Sequence, residues 1–330
     1  MTKFRTAALT TVAAALLLSA CGGAAQGDTA QSASTSSDTT TVQVTDNSGT
    51  HTIQVPPKSV VALDNRTFQT LADWDIKLTA ASRALMPSTN PYKTDESIVD
   101  IGTHGEPNLE ALVAAQPDLI INGQRFTQFT ADITRLTPEA VQLNLDPRDG
   151  AAFDAELRRQ TEILGQVFGK ESEAAALVDA FDDAIADVKE AYTPGDTVMA
   201  VIVSGGNIGY VAPHVGRTLG PVFDILDLTP ALQVEGSSED HQGDDISVEA
   251  IAAANPDWIL VMDRDAAISA DDAQYTPAQQ VLENSEALAN VTAIKEGHVL
   301  YMPADTYTNE GIQTYTVFFN TLAKAFAGRD

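Results

Sequence analysis

The sequence has one cysteine, few basic residues and only five histidines, and each shortage excludes a class of site or partner. Cys21 alone cannot form a disulfide framework or a cysteine-rich metal site within the chain. The five histidines do not converge with carboxylates in the pattern that a Mn or Zn site needs. Lys and Arg number 19 against 46 Asp and Glu, giving a formal net charge of −27. We therefore expect no nucleic-acid partner and no binding of anionic membrane by the folded part.

The sequence also lacks the motifs of common enzyme classes. It has no nucleophile elbow and no P-loop, and the glycines of 205–209 do not have the G-x-G-x-x-G spacing of a dinucleotide-binding turn. We therefore expect no enzymatic activity. The apolar fraction of 44% is ordinary for a folded protein, and 330 residues suffice for about two domains.

The beginning of the chain explains the single cysteine. Lys3 and Arg5 precede an apolar run, Ala7–Leu18, that is shorter than a typical membrane span. Leu18-Ser19-Ala20-Cys21 resembles the bacterial lipobox. We expect 1–20 to be a lipoprotein signal peptide, Cys21 to be lipidated, and the polar segment 21–41 to be a flexible tether. The alternative is an ordinary secretory signal cleaved nearby. With the lipobox, the protein is expected on the outer face of the cytoplasmic membrane.

One segment of the chain occurs twice. Residues 109–125 and 248–264 align without a gap, and both carry a Glu, a Pro-Asp pair and an Arg at the same positions. Each copy predicts a short helix, a turn, a buried strand and an arginine after the strand. The repeat indicates two similar α/β halves. The alternative is a common helix–turn–strand pattern that occurs twice by chance.

The rest of the chain alternates strands and helices, which is typical of parallel α/β sheets. A hairpin is expected first, and the apolar stripe of 171–192 predicts one long helix that breaks the alternation. We predict an α/β fold with an N-terminal lobe at 42–170, a linking helix at 171–193 and a C-terminal lobe at 194–330, with a ligand cleft between the lobes. An ordinary surface helix is the alternative for 171–193.

The helices predicted within this alternation include one near Gln128–Leu136, one from Arg217 to Leu226, and one from Glu310 to Phe326.

These segments together resemble the substrate-binding proteins of iron-siderophore ABC importers. The resemblance rests on the lipobox and tether, on Glu106-Pro107-Asn108-Leu109 with the first repeat copy, on Val203-Ser204-Gly205-Gly206, and on Ile246-Ser247-Val248-Glu249 with the second. It covers nearly all of 42–330 and is greatest to the catecholate-type binders. It implies two Rossmann-like lobes joined by a rigid helix, a ferric siderophore as ligand and no permanent cofactor. Haem or cobalamin is the alternative ligand.

The resemblance also implies roles for individual residues. Arginines line the cleft in the family, and by motif they fall on Arg125, Arg217 and Arg264, with Arg83 as a further candidate. In some relatives a histidine and a tyrosine bind iron directly, which indicates His241 with Tyr307, or Tyr301 as the alternate. Here the order is Asp240-His241-Gln242-Gly243 rather than the family's His-Gly-Gln.

The first acid of each repeat copy is assigned differently. In related proteins one acid per lobe contacts arginines of the membrane permease, and these acids correspond to Glu110 and Glu249. The alternative is that each acid only complements the positive end of a helix dipole. The implied partners are the permease and its ATPase, and the protein itself is expected to be a monomer.

The predicted ligand explains the choice of arginine. A ferric catecholate is a hard cation wrapped in oxygen donors, with a net negative charge, so its host needs fixed cations and hydrogen-bond donors. Arginine is always charged, planar and able to stack on aromatic rings. Three alternatives remain open: surface salt bridges for the arginines, a solvated loop for His241 and packing of the cleft wall for the tyrosines. His104 and His214 are assigned no role.

Overall fold

The computed structural model describes residues 40–328. The predicted signal peptide, Cys21 and the tether up to residue 39 lie outside this range. Within it, twelve strands are found: β1 Thr40–Thr45, β2 Thr50–Val55, β3 Val60–Ala62, β4 Ala80–Ala81, β5 Val99–Asp100, β6 Leu119–Asn122, β7 Val141–Asn144, β8 Thr197–Ser204, β9 Asn207–Val211, β10 Thr229–Pro230, β11 Trp258–Asp263 and β12 Val299–Tyr301.

The same range contains eleven α-helices. They are α1 Phe68–Asp73, α2 Leu109–Ala114, α3 Thr130–Leu136, α4 Phe153–Phe168, α5 Glu171–Ala191, α6 Gly220–Leu226, α7 Val248–Ala254, α8 Arg264–Ile268, α9 Ala278–Glu283, α10 Thr292–Glu296 and α11 Ile312–Ala327. None of the helices in this part of the chain is long and apolar enough to cross a membrane.

The strands form two sheets and a hairpin. The first sheet has the order β5-β4-β3-β6-β7 and is entirely parallel. The second has the order β10-β8-β11-β12, also parallel, and β9 is antiparallel to β8. Strands β1 and β2 pair separately. Strands β3 and β6 are buried throughout, as expected for a sheet covered on both faces.

Helix α5 packs on the cores of both lobes. Ala174, near its beginning, belongs to the core of the first lobe. Phe181, Ala184 and Val188, further along the same apolar stripe, belong to the core of the second. Helix α4 does the same, with Leu157 in the second core and Ile163, Leu164 and Val167 in the first. Both helices therefore join the two cores.

Several sequence predictions need correction. The sequence did not predict strand β9, which pairs with β8, or the elements β10, α8 and α10. The helix predicted from Arg217 begins only at Gly220, so Arg217 lies in a loop. The helix predicted near Gln128–Leu136 consists of a 3₁₀ segment, Gln124–Phe129, followed by α3. The last helix begins at Ile312, which leaves Glu310 before it.

Candidate functional site

Tyr307 lies at the centre of the predicted arginine cluster. It belongs to a 3₁₀ turn, Thr306–Thr308, between β12 and α11. The guanidinium carbon of Arg217 lies 4.9 Å from the centroid of the Tyr307 ring, and that of Arg264 lies 4.8 Å from it. Contacts of this length are cation–π interactions. One tyrosine ring therefore holds two of the predicted arginines.

The third arginine reaches the hydroxyl of the same tyrosine. Arg125 Nη2 lies 3.5 Å from Tyr307 Oη, and Arg125 Nη1 lies 3.2 Å from His104 Nε2. Burial and the charge of Arg125 lower the pKa of His104, which favours the neutral ring that accepts this hydrogen bond. Arg125 is exposed, and within residues 40–328 it forms no ion pair with a carboxylate. Its charge is available to a ligand.

A sharp turn after β6 presents Arg125. Gln124 has a φ of 54°, and its backbone N–H donates to Asp146 Oδ1 at 2.8 Å and Oδ2 at 2.9 Å. Gly123 precedes it in an extended conformation, and a Cβ there would lie 2.4 Å from Asp64 Oδ2. Glycine is required at this position because the buried carboxyl group of Asp64 fills the space of a side chain. Burial and the nearby Asp146 raise the pKa of Asp64 to about 7.

Arg264 is held at the beginning of α8. Its Nη1 lies 3.2 Å from Ser204 Oγ and 3.3 Å from Asp265 Oδ1. The Asp263 side chain caps α8 by accepting from Ala266 N at 3.0 Å. The adjacent carboxylate of Asp265 therefore offsets part of the charge of Arg264.

Arg217 is held by a residue that the sequence did not indicate. Glu310 is 1% exposed, and its two carboxylate oxygens accept from Arg217 Nε at 3.0 Å and Nη2 at 3.1 Å. This is the bidentate geometry that gives arginine–carboxylate pairs their strength. Arg66 also lies near Glu310, with its Nη2 3.7 Å from Oε2. The only sequence signal was an acid directly before an apolar helix.

His241 lies within electrostatic reach of the cluster. Burial lowers its pKa, and Arg125, Arg264 and Arg217 lower it further against the opposite effect of Asp240. The loop that carries His241 packs closely on β9, where a Cβ at Gly209 would lie 2.0 Å from Gln242 O. Glycine at position 209 therefore allows the loop with His241 to pack directly on β9.

Two predicted residues are not brought to this cluster. Tyr301 packs on the core cluster on the other face of the second sheet, and burial with nearby Glu283 and Asp263 raises its pKa to about 12. Arg83 is bound within its own segment, where its guanidinium donates to the carbonyl oxygen of Asp95 and its backbone N–H donates to Asp100.

Glu110 and Glu249 occupy equivalent exposed positions away from the arginines. Each lies in the first turn of its helix, α2 or α7. Asn108 caps the first of these helices and Ser247 the second. The geometry agrees with both sequence interpretations, permease contact and a helix-dipole acid.

Two adjoining cavities form a cleft between the lobes. The first, of about 70 Å³, contains Arg125, Arg217, Tyr307 and His104 in its lining. The second, of about 470 Å³, is lined from both lobes by polar groups that include Arg66 and Glu310. Gln124 and Arg217 line both. Most of these residues lie in loops after the carboxyl ends of parallel strands, where α/β folds bind ligands.

The first cavity combines the guanidinium groups of Arg125 and Arg217 with the phenol of Tyr307 and the imidazole of His104, and Arg264 lies against the Tyr307 ring. Each charge pair at about 4 Å contributes about 4 kcal/mol at an effective dielectric constant of about 20, before desolvation is subtracted. Within residues 40–328, no group of three or more His, Cys, Asp or Glu side chains is arranged to hold a metal ion. The arrangement suits a multiply anionic ligand that supplies most of its own metal ligands.

Known proteins resemble this chain along most of its length. Petrobactin-binding protein YclQ of Bacillus subtilis is 28% identical over 290 residues, covering 84% of this chain and 86% of that one. Ferric-anguibactin-binding protein FatB of Vibrio anguillarum is 27% identical over 294 residues, covering 87% and 88%.

Solved structures confirm the predicted two-lobed α/β fold. The crystal structure of YclQ has a TM-score of 0.74 at 24% identity, covering 87% of this chain and 99% of that one. That of the periplasmic catecholate-siderophore binding protein VctP of Vibrio cholerae has a TM-score of 0.74 at 21% identity, covering 86% and 100%. The model of the periplasmic binding protein family Peripla_BP_2 matches residues 60–306. The chain belongs to this family of periplasmic binding proteins.

Proposed function

We propose that this protein is the extracytoplasmic substrate-binding component of an ABC importer, and that it captures an anionic ferric siderophore of the catecholate type. The observation that carries the proposal is the convergence of Arg125, Arg217 and Arg264 on Tyr307. Fixed guanidinium groups attract a negative complex and stack on catechol rings. YclQ binds petrobactin, FatB binds ferric anguibactin and VctP binds catecholate siderophores, which supports a ferric siderophore as the ligand.

Two side chains of the cleft complete the coordination of iron when the siderophore leaves positions open. His241 offers a neutral imidazole nitrogen, which its lowered pKa favours. Tyr307 offers a phenol oxygen, a hard donor suited to ferric iron. Tyr307 contacts all three arginines, and His241 is close enough for their charges to lower its pKa. The arginines stabilise the negative charge of the complex.

We extend the proposal to the remaining roles through the resemblance to this family. Glu110 and Glu249 contact the permease from the two lobes, and the ATPase drives transport. Cys21 carries the lipid that anchors the protein to the outer face of the cytoplasmic membrane. The protein works as a monomer, without enzymatic activity and without a resident cofactor.

A ligand titration tests the proposal. The purified protein is titrated with ferric tris-catecholate, ferric bis-catecholate, ferric citrate and haem, and binding is followed by tryptophan fluorescence and visible charge-transfer bands. We expect the ferric catecholates to bind with dissociation constants between about 1 nM and 1 μM. Tight haem binding together with no response to ferric catecholates would falsify the proposal.

The same titration with Tyr307→Phe separates coordination from stacking. Phenylalanine keeps a ring between Arg217 and Arg264 but has no oxygen for iron. We expect affinity for the bis-catecholate, which leaves iron positions open, to fall more than affinity for the tris-catecholate. Equal losses of affinity for both ligands would show that Tyr307 does not coordinate iron. The proposal that the arginines bind the anionic complex would not be affected.

A further inference from the structure

Glu310 connects the two turns that present Arg125 and Arg217. Thr218, directly after Arg217, has a φ of 66°. Gln124, directly before Arg125, has a φ of 54°. Residues other than glycine rarely adopt these angles, and a β-branched residue such as Thr218 does so with strain. Each turn is therefore strained and needs contacts that hold it.

The carboxylate of Glu310 makes a contact with each strained residue. Thr218 Oγ1 donates to Glu310 Oε1 at 2.5 Å, and Gln124 Nε2 donates to Glu310 Oε2 at 3.1 Å. The same two oxygens receive the bidentate pair from Arg217. One side chain thus binds an arginine of the cleft and both flanking turns.

These contacts extend across the cleft from one lobe to the other. Glu310, Arg217 and Thr218 belong to the second lobe, whereas Gln124 and Arg66 belong to the first. Arg66 Nη1 also lies 3.3 Å from Asp146 Oδ1, the carboxylate that binds the backbone of Gln124. The first-lobe turn is therefore held by an acid from each lobe.

Glu310 is ionised at neutral pH although it is buried. Burial on its own would raise its pKa, but Arg217 and Arg66 outweigh that effect and the pKa lies below its usual range. Four donated hydrogen bonds use both oxygens. Their loss would leave buried donors without an acceptor, which costs more than the bonds themselves contribute.

We infer that Glu310 is a positioning residue for ligand capture, which fixes Arg217 directly and Arg125 through Gln124 so that both guanidinium groups face the ligand before it arrives. The inference rests on the proposed function. Preorganised charges bind more tightly because ordering is not required on binding. This gain explains why a negatively charged residue, Glu310, lies beside the arginines of an anion site.

Glu310→Gln tests the inference, because the two possible roles of Glu310 predict opposite changes in ligand affinity. The substitution keeps size and shape but removes a negative charge from an anion site. If Glu310 acted only through its charge, a ferric catecholate would bind more tightly. If Glu310 positions the arginines, the dissociation constant rises by about tenfold to one-hundredfold.

A double-mutant cycle tests whether Glu310 acts through Arg217. In the Arg217→Ala background, Glu310→Gln should raise the dissociation constant by a smaller factor than in the wild-type background, since only the route through Gln124 to Arg125 then remains. A purely structural role predicts the same fold-change in both backgrounds. Equal changes would overturn the inference.

Asp118→Asn is the control. Its carboxylate also accepts two hydrogen bonds, from the backbone N–H groups of Lys58 and Ser59, but it lies at the amino end of β6 and lines neither cavity of the cleft. We expect a comparable loss in thermal stability with ligand affinity unchanged. A comparable loss of affinity in both variants would contradict a specific role of Glu310.

A second pair of variants applies if Glu310→Gln does not fold. Thr218→Val removes the hydroxyl donor and keeps the β-branch, whereas Thr218→Ser keeps the donor. Weaker binding in Thr218→Val, with affinity retained in Thr218→Ser, supports the inference, and equal binding in both contradicts it. Absence of binding by the wild-type protein would instead refute the proposed function.

Discussion

The two repeat copies share a scaffold but present their arginines differently. In the first copy, Asp118 accepts from the backbone N–H of Lys58 and Ser59. In the second, Asp257 accepts from the backbone N–H and hydroxyl of Thr197. Each aspartate therefore connects its strand to the start of the neighbouring parallel strand, which explains the Pro-Asp pair in both copies.

The copies diverge where the strands end. In the first, β6 stops at Asn122, and the turn at Gly123 and Gln124 places Arg125 in solvent. In the second, β11 continues to Asp263, and Arg264 begins a helix beside Asp265. A repeat in the sequence thus specifies equivalent elements, whereas the neighbours of each arginine decide how much of its charge and hydrogen-bonding capacity a ligand can use.

The largest expected difference is between Arg125→Ala and Arg264→Ala. Both remove one charge, so the salt dependence of the association rate should fall equally. Arg125 is exposed and pairs with no carboxylate in the described residues, whereas Arg264 pairs with Asp265. We therefore expect about a hundredfold loss of ferric-catecholate affinity for Arg125→Ala, against about tenfold for Arg264→Ala. Isothermal titration measures both constants. Arg135→Ala, at an exposed site in α3, is the control, and a larger loss for Arg264→Ala would reverse the comparison.

Sequence patterns predicted the scaffold well because its signals are local. The apolar stripe of α5, the strand after each Pro-Asp pair and the first hairpin are all readable within about twenty residues. Strand β9, Asn207–Val211, was not predicted because it contains Asn207 and Gly209, residues that are unfavourable in strands, and it pairs with β8 across a short glycine turn. The fold class and the family are confirmed.

The site was predictable where motifs identify single residues and not where contacts join distant ones. The structure brings Arg125, Arg217 and Arg264 together on Tyr307, with His241 within electrostatic reach. Their predicted roles stay predictions. The contacts that the sequence did not reveal join segments up to 244 positions apart. They are Arg66 with Glu310, Gln124 with Glu310, and His104 with Arg125. No local pattern distinguishes a buried acid between two lobes from an ordinary acid before a helix.

Gly123→Ala tests the turn that distinguishes the first copy. The equivalent position in the second copy is Met262, a core residue, whereas Gly123 faces Asp64. The added Cβ should destabilise the protein by about 1–3 kcal/mol and displace Arg125, which weakens ligand binding. Urea unfolding and the same titration measure both effects. Gly105→Ala is the control, because its Cβ would lie 3.6 Å from the nearest atom.

The smallest effect on ligand affinity is expected at Glu110 and Glu249, which occupy equivalent positions in the two repeat copies. Glu110→Ala and Glu249→Ala, singly or together, should leave the dissociation constant within about twofold of the wild type, because both side chains are exposed. Uptake of ferric siderophore by cells carrying the double variant should nevertheless fall, through loss of permease contact. Normal uptake in the double variant would favour the helix-dipole interpretation.

The shared helices have a consequence for how the protein folds and moves. Helices α4 and α5 supply side chains to both cores, so neither lobe can bury its apolar surface without them. The lobes are therefore one cooperative unit and should unfold in a single transition. For the same reason, opening of the cleft requires bending of α4 and α5 rather than rotation about a loop. The distance between the two lobes should therefore change little when the ligand binds.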